Sequence, residues 1–228
     1  MARSYVETCV TAQAMIAGLP YRIVLTFGSA TAVLIERVPR AATVRDEIAA
    51  TALRQATGRA DISIGRRPSG RPKLEPPYYE LGVSLAAREG LLLAGFAPGQ
   101  NVGVDLEVDG TAVGGDPAGL ARDHFAWCEA DAISRLGRAE ASDLFLRFWV
   151  AKEAVLKATG RGIVDGLQWP DLGHVSEQLR AGEPIRLKQP HGTALGILIK
   201  KLDFGASNPV YCALAVIDPI ANRQSSVM

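Results

Sequence analysis

Apolar and polar residues alternate with two different periods along this chain. Stretches in which every second residue is apolar are typical of strands with one buried face, and apolar residues three or four apart are typical of helices. Strands are predicted at residues 21–27, 33–35, 62–64, 79–85, 90–96, 101–109, 184–187, 195–203 and 210–217. Helices are predicted at residues 43–57, 117–125, 129–136 and 142–159. This arrangement predicts the α+β fold class, because the strands come in runs that short turns can join.

The helix predicted at residues 142–159 carries charges beside its apolar face. Ser142 is a candidate N-cap, and Gly160 is a candidate stop. Glu153 and Lys157 are four residues apart and share one side, while Lys152 is rotated by about 100° from Glu153. An ordinary surface ion pair of this kind contributes about 0.2–0.5 kcal/mol and explains the pattern equally well. The helix alone therefore leaves the choice between a cleft wall and a solvated face open.

The strand at residues 101–109 carries two carboxylates on one side. Asp105 and Glu107 alternate with apolar residues, so they lie roughly 6.5 Å apart and repel by about 2–3 kcal/mol at an effective dielectric of about 20. A divalent cation removes that repulsion, and Mg²⁺ prefers such oxygen ligands. Water that screens a solvated strand is the alternative. A third carboxylate, Glu129, falls in the early turns of the helix at residues 129–136, where favourable interaction with the helix dipole also accounts for it.

Length and composition exclude several classes of protein. The chain has 228 residues, of which 48% are hydrophobic, and a formal net charge of +1, so it is neither disordered nor strongly attracted to polyanions. We therefore expect no nucleic acid partner. No apolar run reaches membrane-spanning length, so we expect no membrane association. The cysteines are odd in number and lack paired spacing, and the N-terminus has no apolar signal core; both features favour the cytoplasm.

Three motifs in order resemble a known family. They are residues 103–107, then Phe125 with Glu129, then a run of Trp149, Lys152, Glu153, Lys157, Gly160 and Gly162 at fixed spacing. Together they resemble the signature motifs of the 4′-phosphopantetheinyl transferases, in the larger surfactin-synthetase-activator type. The resemblance implies two pseudo-symmetric α+β lobes with the coenzyme between them. We place the N-terminal lobe at residues 1–101, the C-terminal lobe at 102–218 and a polar tail at 219–228.

The resemblance also implies an activity. Such enzymes transfer the 4′-phosphopantetheine arm of coenzyme A to a serine of an apo acyl or peptidyl carrier protein and release adenosine 3′,5′-bisphosphate. Mg²⁺ held by Asp105, Glu107 and Glu129 would neutralise the pyrophosphate, as phosphoryl transfer requires. Glu153 would accept the proton of the carrier serine, and Lys152 and Lys157 would place positive charge beside the phosphates. We expect a monomer.

The coenzyme contacts in the N-terminal half follow the resemblance less closely. Arg71, in a basic loop punctuated by glycine and proline, is the first candidate for the 3′-phosphate, and Arg45 falls where the family carries a basic residue. Ser84 matches the family's serine, but Leu85 stands where the resembled pattern has histidine. The loss of one charge-assisted hydrogen bond would cost about 1.5–3 kcal/mol of binding. A carrier-binding module with weakened catalysis therefore remains an alternative, as does a metal-dependent phosphoesterase that uses the same carboxylates.

Overall fold

A computed structural model of the protein describes residues 14–16, 18–99, 101–110, 115–160, 166–188, 194–205 and 208–218. The strands are β1 (Ala14–Ile16), β2 (Leu19–Phe27), β3 (Ala30–Ile35), β4 (Ile64–Arg66), β5 (Pro72–Leu74), β6 (Leu81–Arg88), β7 (Leu91–Pro98), β8 (Asn101–Val108), β9 (Ile185–Lys188), β10 (Ala194–Leu202) and β11 (Val210–Asp218). The helices are α1 (Ala42–Thr57), α2 (Pro117–His124), α3 (Trp127–Ser134), α4 (Arg138–Thr159) and α5 (Ser176–Ala181). A short 3₁₀ helix at Gly173–Val175 precedes α5.

The strands form two large antiparallel sheets, which confirms the α+β class. The first has the order β1-β2-β3-β7-β6, and the second has the order β8-β11-β10-β9. Strands β4 and β5 pair separately as a small ribbon. The change from one sheet to the other falls between Pro98 and Asn101, close to the boundary predicted between the two lobes. The division into pseudo-symmetric lobes itself remains a prediction.

The two large sheets bury a common apolar core. Val102, Val104 and Leu106 of β8 belong to the same buried cluster as Leu25 and Leu93 of the first sheet. Helix α1 covers the other side of the first sheet, where Ile48 and Ala52 pack against strand residues. Helix α4 covers the other side of the second sheet. The structure thus stacks helix, sheet, sheet and helix, and β8 lies between the first sheet and α4.

Helix α4 approaches β8 closely because Gly103 has no side chain. A Cβ atom at this position would lie 1.9 Å from the Ala154 carbonyl oxygen and 2.5 Å from the Ala158 nitrogen. Such distances are far below van der Waals contact, so only glycine permits this spacing. Gly103 therefore sets the distance between α4 and the strand that carries Asp105 and Glu107.

Asp143 fastens the first half of α4 to the second sheet. Its carboxylate accepts hydrogen bonds from Arg147 Nε at 2.6 Å, Lys201 Nζ at 2.7 Å and the Tyr211 hydroxyl at 2.7 Å. Burial raises the pKa of this carboxyl, but the three donors outweigh burial and lower the pKa to about 2. Asp143 therefore stays ionised over the range in which most carboxyls take up a proton.

Several predicted boundaries were wrong. Helix α4 begins at Arg138 with Gly137 as its N-cap, so Ser142 lies inside the helix and caps nothing, whereas Gly160 ends it in the left-handed conformation as predicted. The strand predicted at residues 62–64 is displaced to Ile64–Arg66. The β8 strand is buried on both faces rather than on one, because α4 covers its polar side. Gly162 and the tail at 219–228 lie outside the described residues.

Candidate active site

Strands β6 and β8 lie side by side where the two large sheets meet. Ser84 of β6 is buried, and its hydroxyl oxygen accepts a hydrogen bond from the Val104 backbone N–H at 3.1 Å. Further along the same pair of strands, Arg88 Nε donates to Glu107 Oε2 at 2.8 Å. These contacts hold the acidic strand against the N-terminal half. The pairing of Arg88 with Glu107 has no local sequence signal, because the two residues are nineteen positions apart.

Three carboxylates gather in the narrow space between β8 and α4. Asp105 and Glu107 come from the strand, and Glu153 comes from the helix. Lys157, one turn after Glu153, donates from Nζ to Asp105 Oδ1 at 2.6 Å. Burial is the main influence on all three carboxyls and raises their pKa values, and repulsion from Asp105 raises the pKa of Glu107 and of Glu153 further. The site therefore holds more negative charge than Lys157 and Arg88 neutralise.

Two oxygens of this cluster are buried and have no hydrogen-bond donor among the described residues. They are Asp105 Oδ2 and Glu153 Oε1. Buried carboxylate oxygens are costly unless a donor or a cation satisfies them. No three metal-ligating side chains among the described residues already stand close enough to hold an ion. The chemistry of the donors nevertheless fits a hard divalent cation, because all three side chains offer oxygen and two of the oxygens have no other partner in the described part of the chain.

Glu129 and Lys152 pair with each other and not with this cluster. They form an ion pair of 2.8 Å in which both side chains are fully buried. Glu129 also accepts from the backbone N–H groups of Ala126 at 2.9 Å and Leu172 at 2.7 Å. Lys152 Nζ also donates to the Pro170 carbonyl oxygen at 2.5 Å. Since these protein partners already satisfy both charges, neither residue is free to hold a metal ion or a phosphate.

A cavity of about 940 Å³ opens between the basic loop and the start of β8. The residues that line it include Arg67, Arg71, Tyr79, Asn101 and Gly160. Neither Arg67 nor Arg71 makes a side-chain ion pair with an acidic residue in the described part of the chain. Burial and the nearby Arg67 lower the pKa of Arg71, as expected where two guanidinium groups lie together without an anion. The cavity is therefore suited to an anionic ligand.

The other predicted coenzyme contacts are placed less favourably. Arg45 of α1 is half-buried and is not among the residues that line the cavity. Lys73 forms an ion pair with Glu75, and Arg66 forms one with Asp46. The Ser84 oxygen already accepts the bond that joins β6 to β8. Of the predicted basic loop, Arg67 and Arg71 remain as the anion-binding candidates.

Residues 101–212 match the sequence model of the 4′-phosphopantetheinyl transferase superfamily. This stretch contains β8, the carboxylate cluster, the buried ion pair and all of α4. The chain therefore carries a domain of that superfamily, and the resemblance inferred from the three motifs is confirmed.

Two cyanobacterial proteins are similar over part of this chain. The 4′-phosphopantetheinyl transferase HetI of Nostoc sp. strain PCC 7120 is 30% identical over 121 residues, which cover 52% of this chain and 48% of HetI. The protein slr0495 of Synechocystis sp. strain PCC 6803, whose name assigns the same activity provisionally, is 33% identical over 105 residues, which cover 44% of this chain and 40% of slr0495. The matched regions thus span less than half of each relative.

The structure shows no helix, within the residues it describes, that is long and apolar enough to cross a membrane.

Proposed function

We propose that this chain transfers the 4′-phosphopantetheine arm of coenzyme A to a serine of an apo carrier protein and releases adenosine 3′,5′-bisphosphate. The observation that carries the proposal is the position of two sites along the last turn of α4. Lys157 belongs to the carboxylate cluster, and Gly160, three residues later, lines the cavity that holds Arg67 and Arg71. Three helical residues span about 4.5 Å, so both sites lie within reach of one ligand that has two anionic groups.

Coenzyme A has anionic groups of this kind. Its 3′-phosphate matches the guanidinium groups of Arg71 and Arg67, which form no ion pair with the residues that the structure describes, because arginine binds phosphate oxygens with two parallel hydrogen bonds. Its pyrophosphate would lie toward Lys157, whose side chain is about one third exposed and carries the positive charge nearest to the carboxylates. The cavity would thus fix the nucleotide while α4 presents the reacting bond.

Mg²⁺ would be held by Asp105, Glu107 and Glu153, with Glu153 in place of the predicted Glu129. When bound, the ion would supply Lewis acidity to the pyrophosphate oxygens. The support for this set is the mutual repulsion of the three carboxylates and the two buried oxygens for which the described residues supply no donor. The predicted role of Glu153 in accepting the proton of the carrier serine is an alternative to this ligand set, because a carboxylate that binds the ion is a much weaker base.

A mass-shift assay tests the proposal. The full chain is incubated with an apo carrier protein, coenzyme A and Mg²⁺, and a gain of one phosphopantetheine mass on the carrier is expected. Glu153→Gln should abolish the gain, whereas Glu140→Gln, on the exposed first turn of the same helix, should leave it unchanged. If no member of a panel of fatty-acid, polyketide and peptide-synthetase carriers is modified, the transferase function is refuted.

The departure at Leu85 favours one alternative, a carrier-binding module with little catalysis. Leu85 packs against the apolar clusters beside α1, so this position contributes packing rather than a charged contact. In that case the chain would bind an apo carrier, measurable by calorimetry, and leave its mass unchanged with Mg²⁺ and coenzyme A present. A phosphoesterase would instead release phosphate from a simple ester without any carrier.

A further inference from the structure

Arg71 reaches across the cavity to the end of α4. A Cβ atom built on Gly160 would lie 2.4 Å from the Nη1 atom of Arg71 and 3.7 Å from its Cζ atom. The guanidinium group therefore lies directly against the glycine that ends the helix. Arg71 belongs to the N-terminal half of the chain and Gly160 to the C-terminal half, so this contact closes one side of the cavity that both residues line.

The position is electrostatically favourable for a cation. The last carbonyl groups of a helix carry a partial negative charge, and α4 ends at Gly160 with the backbone N–H of that residue bonded to the Leu156 carbonyl. Arg71 makes no ion pair with an acidic side chain in the described part of the chain, and its guanidinium is half-buried. The end of α4 thus provides a partial negative charge without neutralising the arginine, which keeps the full positive charge for a ligand.

Gly160 has two separate reasons to be glycine. Its φ of 74° lies in the left-handed region, which any side chain makes less favourable. Gly58, the residue that ends α1, has a φ of 71°, and none of the described residues comes within 4 Å of its Cβ position. The two glycines therefore share the backbone requirement, and at Gly160 a side chain would in addition displace the end of the Arg71 side chain.

We propose that Gly160 is a positioning residue: by lacking a side chain, it lets the end of α4 hold the Arg71 guanidinium in the cavity, ready for the 3′-phosphate of the nucleotide. This inference rests on the proposed function for the identity of the ligand. As a consequence, the helix that carries Glu153 and Lys157 also positions the anion-binding arginine. One helix would thus position the side chains that bind the 3′-phosphate and those that bind the pyrophosphate.

Binding of two nucleotides to the full chain tests the proposal. Calorimetry compares adenosine 3′,5′-bisphosphate with adenosine 5′-phosphate, which lacks the 3′-phosphate, in the Gly160→Ala and Gly58→Ala variants. Both variants should lose melting temperature to a similar degree, because both strain a left-handed residue. Gly160→Ala should lower the preference for the bisphosphate about fivefold or more, as displacement of a charged donor does. Gly58→Ala should keep the wild-type preference.

A double-mutant cycle separates positioning from general destabilisation. Arg71→Ala should lower the preference about tenfold or more, and Gly160→Ala should have no further effect in that background. Arg71→Lys keeps the charge but loses the planar group that rests on Gly160, so it should also bind the bisphosphate more weakly. If Gly160→Ala does not fold, the preference of Arg71→Lys for the bisphosphate tests the proposal in its place.

Equal preferences in Gly160→Ala and Gly58→Ala, or wild-type preference in Arg71→Lys, would overturn the proposal. Its failure is distinguishable from failure of the proposed function. If wild-type protein modifies carriers and prefers the bisphosphate while Gly160→Ala behaves like Gly58→Ala, only the positioning role is wrong. If the bisphosphate preference depends on Gly160 but no carrier is modified, only the transferase function is wrong. Absence of any preference in the wild-type protein would refute the positioning role directly.

Discussion

Replacement of Lys152 by methionine should remove a large part of this protein's free energy of unfolding and leave its candidate ligand-binding residues unchanged. The 2.8 Å pair with Glu129 has no solvent contact on either side. Burial lowers the pKa of Lys152 and raises the pKa of Glu129, so each charge depends on its partner. At an effective dielectric of about 20, the attraction at this distance is about 6 kcal/mol before desolvation is counted. Removal of one member of such a pair costs about 3–5 kcal/mol, because the other charge stays buried.

Lys157 provides the matched comparison on the same helix. Its side chain is about one third exposed, and its pair with Asp105 faces the candidate metal site. Lys157→Met should cost less unfolding free energy than Lys152→Met, since Lys157 is itself partly exposed and only Asp105 of this pair is buried. It should instead impair carrier modification. Urea unfolding of both variants, followed by fluorescence of the three tryptophans, measures the first quantity, and the mass-shift assay at a temperature where both are folded measures the second.

The two lysines should therefore show opposite behaviour. If Lys152→Met keeps its unfolding free energy within about 1 kcal/mol of wild type and weakens coenzyme A binding, Lys152 is a phosphate ligand and the assignment of a buried structural pair is wrong. A further check is Glu129→Gln combined with Lys152→Met, which should recover part of the loss because no unpaired charge remains.

Two further predictions concern α4. Gly103→Ala should push α4 away from β8 and lower the free energy of unfolding in urea by about 1–3 kcal/mol. Gly115→Ala, at a position with open space, should be neutral. Equal losses in the two variants would contradict the close approach of α4 to β8. The folded pKa of Asp143 is about 2, below its ordinary value of 3.8, so its contribution of about 2 kcal/mol should be complete above pH 4 and lost as the pH falls through 2. The difference in unfolding free energy between wild type and Asp143→Asn should shrink over that range, and the exposed Asp123→Asn should show no such trend.

The sequence predicts those elements whose periodicity is long and regular. The strand from 101 to 109, the last turns of α4 and the glycine that ends that helix were predicted correctly, because each depends on residues close together in the chain. The start of α4 was wrong, since Gly137 offers no side-chain cap while Ser142 and Asp143 imitate one. The hydrogen bonds of Asp143 instead go to Lys201 and Tyr211, which no local pattern indicates.

The pairing of Glu129 with Lys152 was missed for a similar reason. Glu153 has Lys152 beside it and Lys157 four residues later, whereas Glu129 has no lysine near it in the sequence, so residue types alone do not indicate that Glu129 pairs with Lys152. The decision comes from a loop some forty residues later, where the Leu172 N–H and the Pro170 carbonyl close around Glu129 and Lys152. Glu153 remains on the side of α4 that faces Asp105, and one helical turn separates it from Lys157.

Both faces of strand β8 are buried, and this limits where the chain can be cut into parts that fold separately. The apolar residues of β8 pack against the N-terminal sheet. Along the edge of β8, Ser84 of that half accepts a hydrogen bond from the strand's backbone, and Arg88 donates one to Glu107. A fragment that begins at residue 101 would expose the apolar face of β8 to water. The stretch that matches the superfamily should therefore not fold on its own. Both halves should instead melt together in one cooperative transition.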